Sequence, residues 1–220
     1  MTSAVDLAAL EQKLAPFTHG PDALHIIQDA LRGLKPRARQ DLLNEHLLCA
    51  PIYHDHVESS LPPDVERFWV LQGDVIRTEA AYYLGTRLIA SPSFVVATST
   101  CDVIPDRRKT ALLLQVEPKS KDYASVDEIR NHLGGLTLFK PTRHFYLPPL
   151  PDDDPDVLYN LVHLDEHAQC ENKDLTLATR RASMTLIGWR VFGALLRSLQ
   201  VREGAHEAAI RRAGAAPKTS

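Results

Sequence analysis

Gly73-Asp74-Val75-Ile76, then Ser93-Phe94-Val95-Val96-Ala97-Thr98-Ser99-Thr100-Cys101-Asp102, then Thr110-Ala111-Leu112-Leu113-Leu114-Gln115-Val116-Glu117-Pro118 form three short apolar runs in succession. Gly73, Gly85, Pro92, Pro105 and Pro118 punctuate them. Short runs rich in branched apolar residues and bounded by turn formers read as strands. Three of them in a row predict a small β-barrel. Its second strand ends in a polar Thr-Ser-Thr segment that leads into Cys101 and Asp102, a position where side chains open onto a barrel's binding face.

Working outward, the N-terminal side changes period. Val5, Leu7, Ala8, Leu10 and Leu14, then Leu24, Ile27, Ala30 and Leu31, recur at helical spacing. Pro21 and Pro36 suit the first turn of a helix, where the missing N–H would be unpaired anyway. A segment rich in proline and histidine, Pro51 to Pro63, separates these helices from the strands.

On the C-terminal side, Ser125 and Glu128 form a capping-box spacing, so an inserted helix is predicted over 125–133, with Gly134 and Gly135 ending it. Arg143 to Leu147 reads as another strand, bounded by Pro148, Pro149 and Pro151. Asp154-Pro155-Asp156 imitates a helix start, but the run from Val157 to Leu164 favours a buried strand. Leu186, Trp189, Phe192, Leu195, Leu196 and Leu199 mark a last helix, packing on the barrel or on a second copy of the chain. The expected organisation is α+β: a helical segment over 1–60, a barrel with an inserted helix over 61–174, a C-terminal helix over 175–213 and a disordered tail over 214–220.

A chain of 220 residues, 44% apolar, buries an ordinary core. It contains no apolar run near the ~20 residues of a membrane span and no signal-peptide pattern, so a cytoplasmic protein without membrane partners is expected. Three widely spaced cysteines, Cys49, Cys101 and Cys170, argue for reduced thiols. The net charge of -3 supplies no overall pull on nucleic acid, but it is unevenly placed. Residues 152–174 carry a net charge of -7 and the tail from Leu175 carries +6. That asymmetry fits either a polyanion site or mutual neutralisation within the fold.

Several groupings bear on chemistry. A Cys101 thiolate needs a base, for which His144 or His163 is the candidate partner, since Asp102 alone would repel it; the alternative is a half-buried cysteine followed by a turn aspartate. His163-Leu164-Asp165-Glu166-His167 matches a zinc-peptidase string that requires a helix. The strand expected here would hold His163 and His167 too far apart to chelate one ion. His46 and Cys49, with His54 and His56, are a second metal grouping without the second cysteine of common structural zinc sites. Arg107-Arg108-Lys109 in a turn, with Arg180 and Arg181, could track phosphates or serve as solvated charge. Trp69, Tyr82 and Tyr83 could stack bases, but Trp69 beside Phe68 is more easily core.

The order Gly73-Asp74-Val75-Ile76, a loop with Gly85 and Arg87, Pro92 leading into Phe94-Val95-Val96, and a strand ending near Pro118 resembles PemK/MazF-type proteins. The resemblance covers about 50 residues and implies an SH3-like barrel. Many members are endoribonuclease toxins of bacterial toxin-antitoxin pairs, and an arginine directly before the strand-opening proline serves cleavage there. This chain has Ser91 at that position, with Arg87 five residues ahead of Pro92. The resemblance implies an RNA-binding or RNA-cleaving protein of toxin-antitoxin or defence type, acting without a cofactor. Attack by the ribose 2'-hydroxyl would be assisted by Arg87 or a basic-turn arginine, with Asp102 or His144 moving the proton. The expected partners are RNA, a protein or antitoxin, and a second copy bound through residues 186–199. The competing expectation is a noncatalytic interaction module built from the barrel and the last helix.

Overall fold

The opening Gly-Asp pair sets the architecture. In the computed structural model, which describes Gln12, 21–83, 86–87, 93–104, 107–140 and 143–200, Gly73 adopts φ +89°, a conformation that favours glycine. A Cβ there would also lie 2.9 Å from Met184 Sδ. Asp74 follows fully buried, accepting hydrogen bonds from Leu71 N (2.9 Å) and Ser183 Oγ (2.5 Å) with Arg180 Nε 3.6 Å away. Burial pushes its carboxyl above the ordinary value, against the pull of those partners. This aspartate ties the first barrel strand to a strand more than 100 residues later.

The strands are β1 (Leu48–Cys49), β2 (Val75–Arg77), β3 (Tyr82–Tyr83), β4 (Thr86–Arg87), β5 (Ser93–Val96), β6 (Thr110–Ser120), β7 (His144–Leu147), β8 (Val157–Glu171) and β9 (Thr179–Met184). They pair in the order β1-β9-β2-β5-β6-β8-β3-β4, with β7 added beside β8, and the ladders are antiparallel. The result is a curled half-barrel sheet in a mixed α/β fold. β6 and β8 form its spine, pairing from Thr110↔Glu171 to Ser120↔Val157. Between Leu114↔His167 and Val116↔Val162 the register jumps, so one residue of β6 faces residues 163–166 of β8, a bulge of three extra residues in β8 on the side that faces β6.

The helices are α1 (Pro21–Arg32), α2 (Pro36–His46), α3 (His54–Val57), α4 (Val126–Leu136), α5 (Asn172–Leu175) and α6 (Leu186–Gln200). α1 and α2 begin at the two prolines, as their fixed φ allows. Ser125 and Glu128 close both halves of the capping box on α4. That helix continues through Gly134 and Gly135 to Leu136. Arg39 holds this end by donating to Gly134 O (3.2 Å) and Thr137 Oγ1 (2.9 Å), and buried Leu136 anchors it. The two glycines therefore do not end α4, because tertiary contacts outweigh their propensity cost of about 1 kcal/mol each.

The larger core joins α1, α6, β7 and the first half of β8, including Leu24, Ile27, Phe145, Tyr159, Phe192 and Leu195. A smaller one, with Ile76, Phe94, Val96, Leu113 and Cys170, fills the other side of the sheet. The stripe of α6 thus packs on α1 and the sheet of its own chain, with Phe192 against Phe145 at 5.6 Å between ring centroids. Residues 175–213 are not one helix: β9 comes first and pairs with β1 and β2, so all three segments contribute to one sheet. The helix expected around Val5 to Leu14, Ser91 with Pro92, and the tail from 214 lie outside the described residues. No helix among the described residues is long and apolar enough to cross a membrane.

Candidate functional site

The structure divides the residues singled out from sequence between two places. The first is a cleft of about 650 Å³ at the start of β6 and the end of β8, lined by Trp69, Arg107, Arg108, Lys109, Asn172 and Lys173 among others. Cys101 and Asp102 occupy a 3-10 turn beside it. Arg108 pairs with Asp102 at 3.0 Å, Arg107 with Glu66 at 2.7 Å and Lys173 with Glu171 at 2.6 Å. These pairs are exposed, worth about 0–1 kcal/mol each, so an incoming phosphate can displace the carboxylates.

Trp69 is 45% exposed and lies beneath the Arg67 guanidinium, 5.7 Å from its ring centroid. Its neighbour Phe68 occupies the buried position instead, edge-on to His54. The core placement expected for Trp69 is thereby corrected: alternation along the chain sends one of the two rings inward and the other to the cleft.

Cys101 Sγ lies 3.1 Å from Ser99 Oγ, and its carbonyl accepts from Arg107 Nη1 at 3.4 Å. Neither His144 nor His163 is near enough to serve as its base. Both sit toward the far end of β6, about 23 Å along the strand from Thr110 to Glu117. Arg87 is in β4 at the sheet edge, its backbone paired with Tyr82.

Arg180 and Arg181 occupy structural positions. Arg181, whose side chain is 5% exposed, donates to Asp152 Oδ1 (2.7 Å), Asp153 Oδ1 (2.7 Å) and Ser93 Oγ (2.7 Å). Arg180 binds the Ile52 carbonyl (2.5 Å) and lies over the Tyr53 ring. Arg181 thus joins the basic tail to the start of the acidic segment at Asp152 and Asp153, while Asp156, Asp165 and Glu171 pair with Lys121, Arg143 and Lys173.

The second place is built around the β8 bulge. His144 and His163 are register partners whose rings meet edge-to-face at 5.0 Å, and His132 from α4 follows at 6.5 Å from His144. His163 Nε2 is 2.9 Å from Glu117 Oε2, while its Nδ1 is 3.7 Å from Glu166. Burial works against the Glu117 carboxylate, but hydrogen bonds from Lys119 (2.5 Å) and His163 outweigh it and hold the carboxyl below its ordinary value. An ionised Glu117 only accepts, so Nε2 of His163 carries a proton and donates it to Glu117. Lys119 also lies 5.3 Å from the Tyr123 ring centroid.

His132 Nδ1 is 2.9 Å from the Tyr159 hydroxyl, which is in turn hydrogen-bonded to Tyr123. Burial, then the hydrogen bond to Tyr123, pushes the Tyr159 phenol up and keeps it protonated. Burial, followed by the Lys119 charge, lowers His132. Burial, then the charges of His163 and His132, lowers His144 against the opposing Asp165 and Glu117. Neutral imidazoles of this kind are ready to take a proton near pH 7.

Of the residues singled out from sequence, His144 and His163 come together here; His132, Glu117, Lys119, Tyr123 and Tyr159 are additions that no local spacing reveals. Glu117 and Lys119, alternating polar residues at the end of an apolar strand, were the one signal available. The zinc-peptidase string lies in strand, as expected: residues 163–167 belong to β8 and its bulge, and among the described residues neither His163 nor His167 belongs to a group of donors converging on one ion. His46, Cys49 and His56 likewise join no such group among the described residues.

No family model matches the chain, and no curated protein does. Among solved structures it is similar to an endoribonuclease from a mycobacterial species, at 10% identity and a TM-score of 0.34, over 60% of this chain and 93% of that one. The likeness is distant and partial.

Proposed function

We propose that this protein is an RNA-binding, metal-independent ribonuclease with an SH3-like barrel, of the toxin-antitoxin or defence type. The observation that carries the reading is the contact of neutral His144 with His163, whose ring Glu117 orients, beside the cation of Lys119. Self-cleavage of RNA needs a base for the 2'-hydroxyl, an acid for the 5'-oxygen and positive charge at the phosphorane. His144 takes the 2'-proton as the O2'–P bond forms. The P–O5' bond breaks as the departing oxygen takes the Nδ1 proton of a His163 imidazolium whose Nε2–H stays on Glu117, leaving a 2',3'-cyclic phosphate, a 5'-hydroxyl, neutral His163 and protonated His144, and solvent resets the two rings. Lys119 faces the charge that develops on the non-bridging oxygens.

The basic cleft supports binding of the same polymer. Trp69 offers a stacking face worth about 1–3 kcal/mol per base, and Arg107, Arg108 and Lys109 offer cations for the backbone.

The test is incubation of the purified protein with a long unstructured RNA in excess chelator, followed by mapping of the cut ends. Cleavage with cyclic-phosphate ends that His144→Gln and Lys119→Met reduce about 100-fold or more supports the assignment. A 2'-deoxy substitution at the cut site should abolish it. Uncut RNA that still binds, with affinity lost in Trp69→Ala, would retain the binding function alone. Full cleavage in both histidine-cluster variants refutes the mechanism.

A further inference from the structure

Away from both places, the short helix α3 and the turn after it hold a group that neither RNA binding nor cleavage uses. His54 is 9% exposed, and among the described residues neither of its ring nitrogens has a hydrogen-bond partner. A buried imidazole with both nitrogens unsatisfied costs about 1–3 kcal/mol for each lost partner, so a buried histidine ordinarily finds one. Its ring makes an edge contact with Phe68 at 5.0 Å. A donor nitrogen of His54, a carboxylate oxygen of Asp55 and one of Glu58 all lie within 4.8 Å of one another.

We infer that His54, Asp55 and Glu58 form a binding site for a zinc-type divalent ion. One imidazole nitrogen with two carboxylates suits borderline first-row ions better than magnesium, which prefers oxygen ligands and its own water shell. Tetrahedral zinc, with bonds of about 2.1 Å, places its donors roughly 3.4 Å apart. The two carboxylates are on exposed residues and need close by at most about 1.4 Å toward the fixed imidazole. Water completes the fourth position.

Asp55 is at present paired with Arg67 at 2.5 Å, with the side chains 68% and 61% exposed. Such a pair is worth about 1 kcal/mol or less, so an ion competes with it successfully. The separation of one and four residues along the chain keeps all three donors on one turn and the following 3-10 segment, so binding requires no rearrangement of the sheet.

The experiment is calorimetric titration of the chelator-stripped full chain with zinc sulfate, with magnesium chloride as control and circular dichroism to confirm folding. One zinc per chain with a dissociation constant at or below about 10 μM is expected, and no comparable magnesium heat. His54→Ala is buried and could unfold the segment, so the deciding variants are the exposed Glu58→Gln and Asp55→Asn, each expected to weaken zinc at least tenfold. Absence of one-to-one binding, or a weakening of less than tenfold in both folded variants, overturns the inference. The RNA assay runs in chelator, so neither result depends on the other.

Discussion

Replacing Arg181 with methionine keeps most of the side-chain volume and removes the charge. The Arg181 and Asp153 side chains are 5% and 8% exposed, so their pair is screened by little water. Breaking a buried ion pair by deleting one partner costs about 3–5 kcal/mol, because the other charge is stranded. Asp153 still accepts from Leu150 N and Asn160 Nδ2, both at 2.7 Å, which favours the lower end, about 3 kcal/mol. Urea denaturation followed by circular dichroism measures this directly. In Arg181→Met with Asp153→Asn the stranded charge is gone, and roughly half of the loss should return.

Asp152 adds a pH signature. The hydrogen bond from Arg181, opposed by burial, holds its carboxyl below the ordinary value. The stability it contributes is present above about pH 4, the unfolded value, and is lost as pH falls through the folded one. Arg181→Met should flatten that acid limb. RNA affinity should be unchanged in the folded variant, since this guanidinium faces the acidic segment. A loss below about 1 kcal/mol, or a selective loss of RNA binding, would refute the structural role argued for Arg181.

Two further outcomes are expected. A Cβ at Gly188 would lie 2.3 Å from the Leu47 carbonyl, so Gly188→Ala should destabilise by more than about 3 kcal/mol; Gly134→Ala and Gly135→Ala, where a Cβ meets nothing within 4 Å, should each stabilise α4 by about 0.5–1 kcal/mol, all read by thermal denaturation. Because folding lowers His132 and His144, the unfolded chain binds more protons near its ordinary histidine pKa of about 6.5, so stability should fall as pH drops from about 7 to 5. Replacing both with glutamine should flatten that slope, and an unchanged slope in urea titrations across this range would show that neither imidazole is held neutral.

Much of the architecture was legible because it rests on local rules. The strands at 75–76, 93–96 and 110–118, the prolines opening α1 and α2, the Ser125–Glu128 capping box and the extended chain over 157–164 all follow from periodicity, fixed φ or a three-residue spacing. The Gly73-Asp74 opening was visible as a turn, and the pairing of Arg181 with Asp152 and Asp153 is a local instance of one of the two outcomes that charge alone allowed. These features depend on residues close in sequence or on summed charge, which the order of letters contains.

The site depended on contacts that the order of letters does not contain. His132, His144 and His163 belong to an inserted helix and two strands, and only the β7–β8 register and the three-residue bulge in β8 set their rings edge to face. The same folding moved Cys101 and Asp102 to the other end of β6, away from every histidine expected to serve them, and sent Trp69 outward while Phe68 turned inward. Spacing along a chain fixes which residues share one helical turn or one strand face. Which strands become neighbours, and in what register, is decided by burying Phe145, Tyr159 and Phe192 in one core, a sum over distant residues that exists only once the chain has closed on itself.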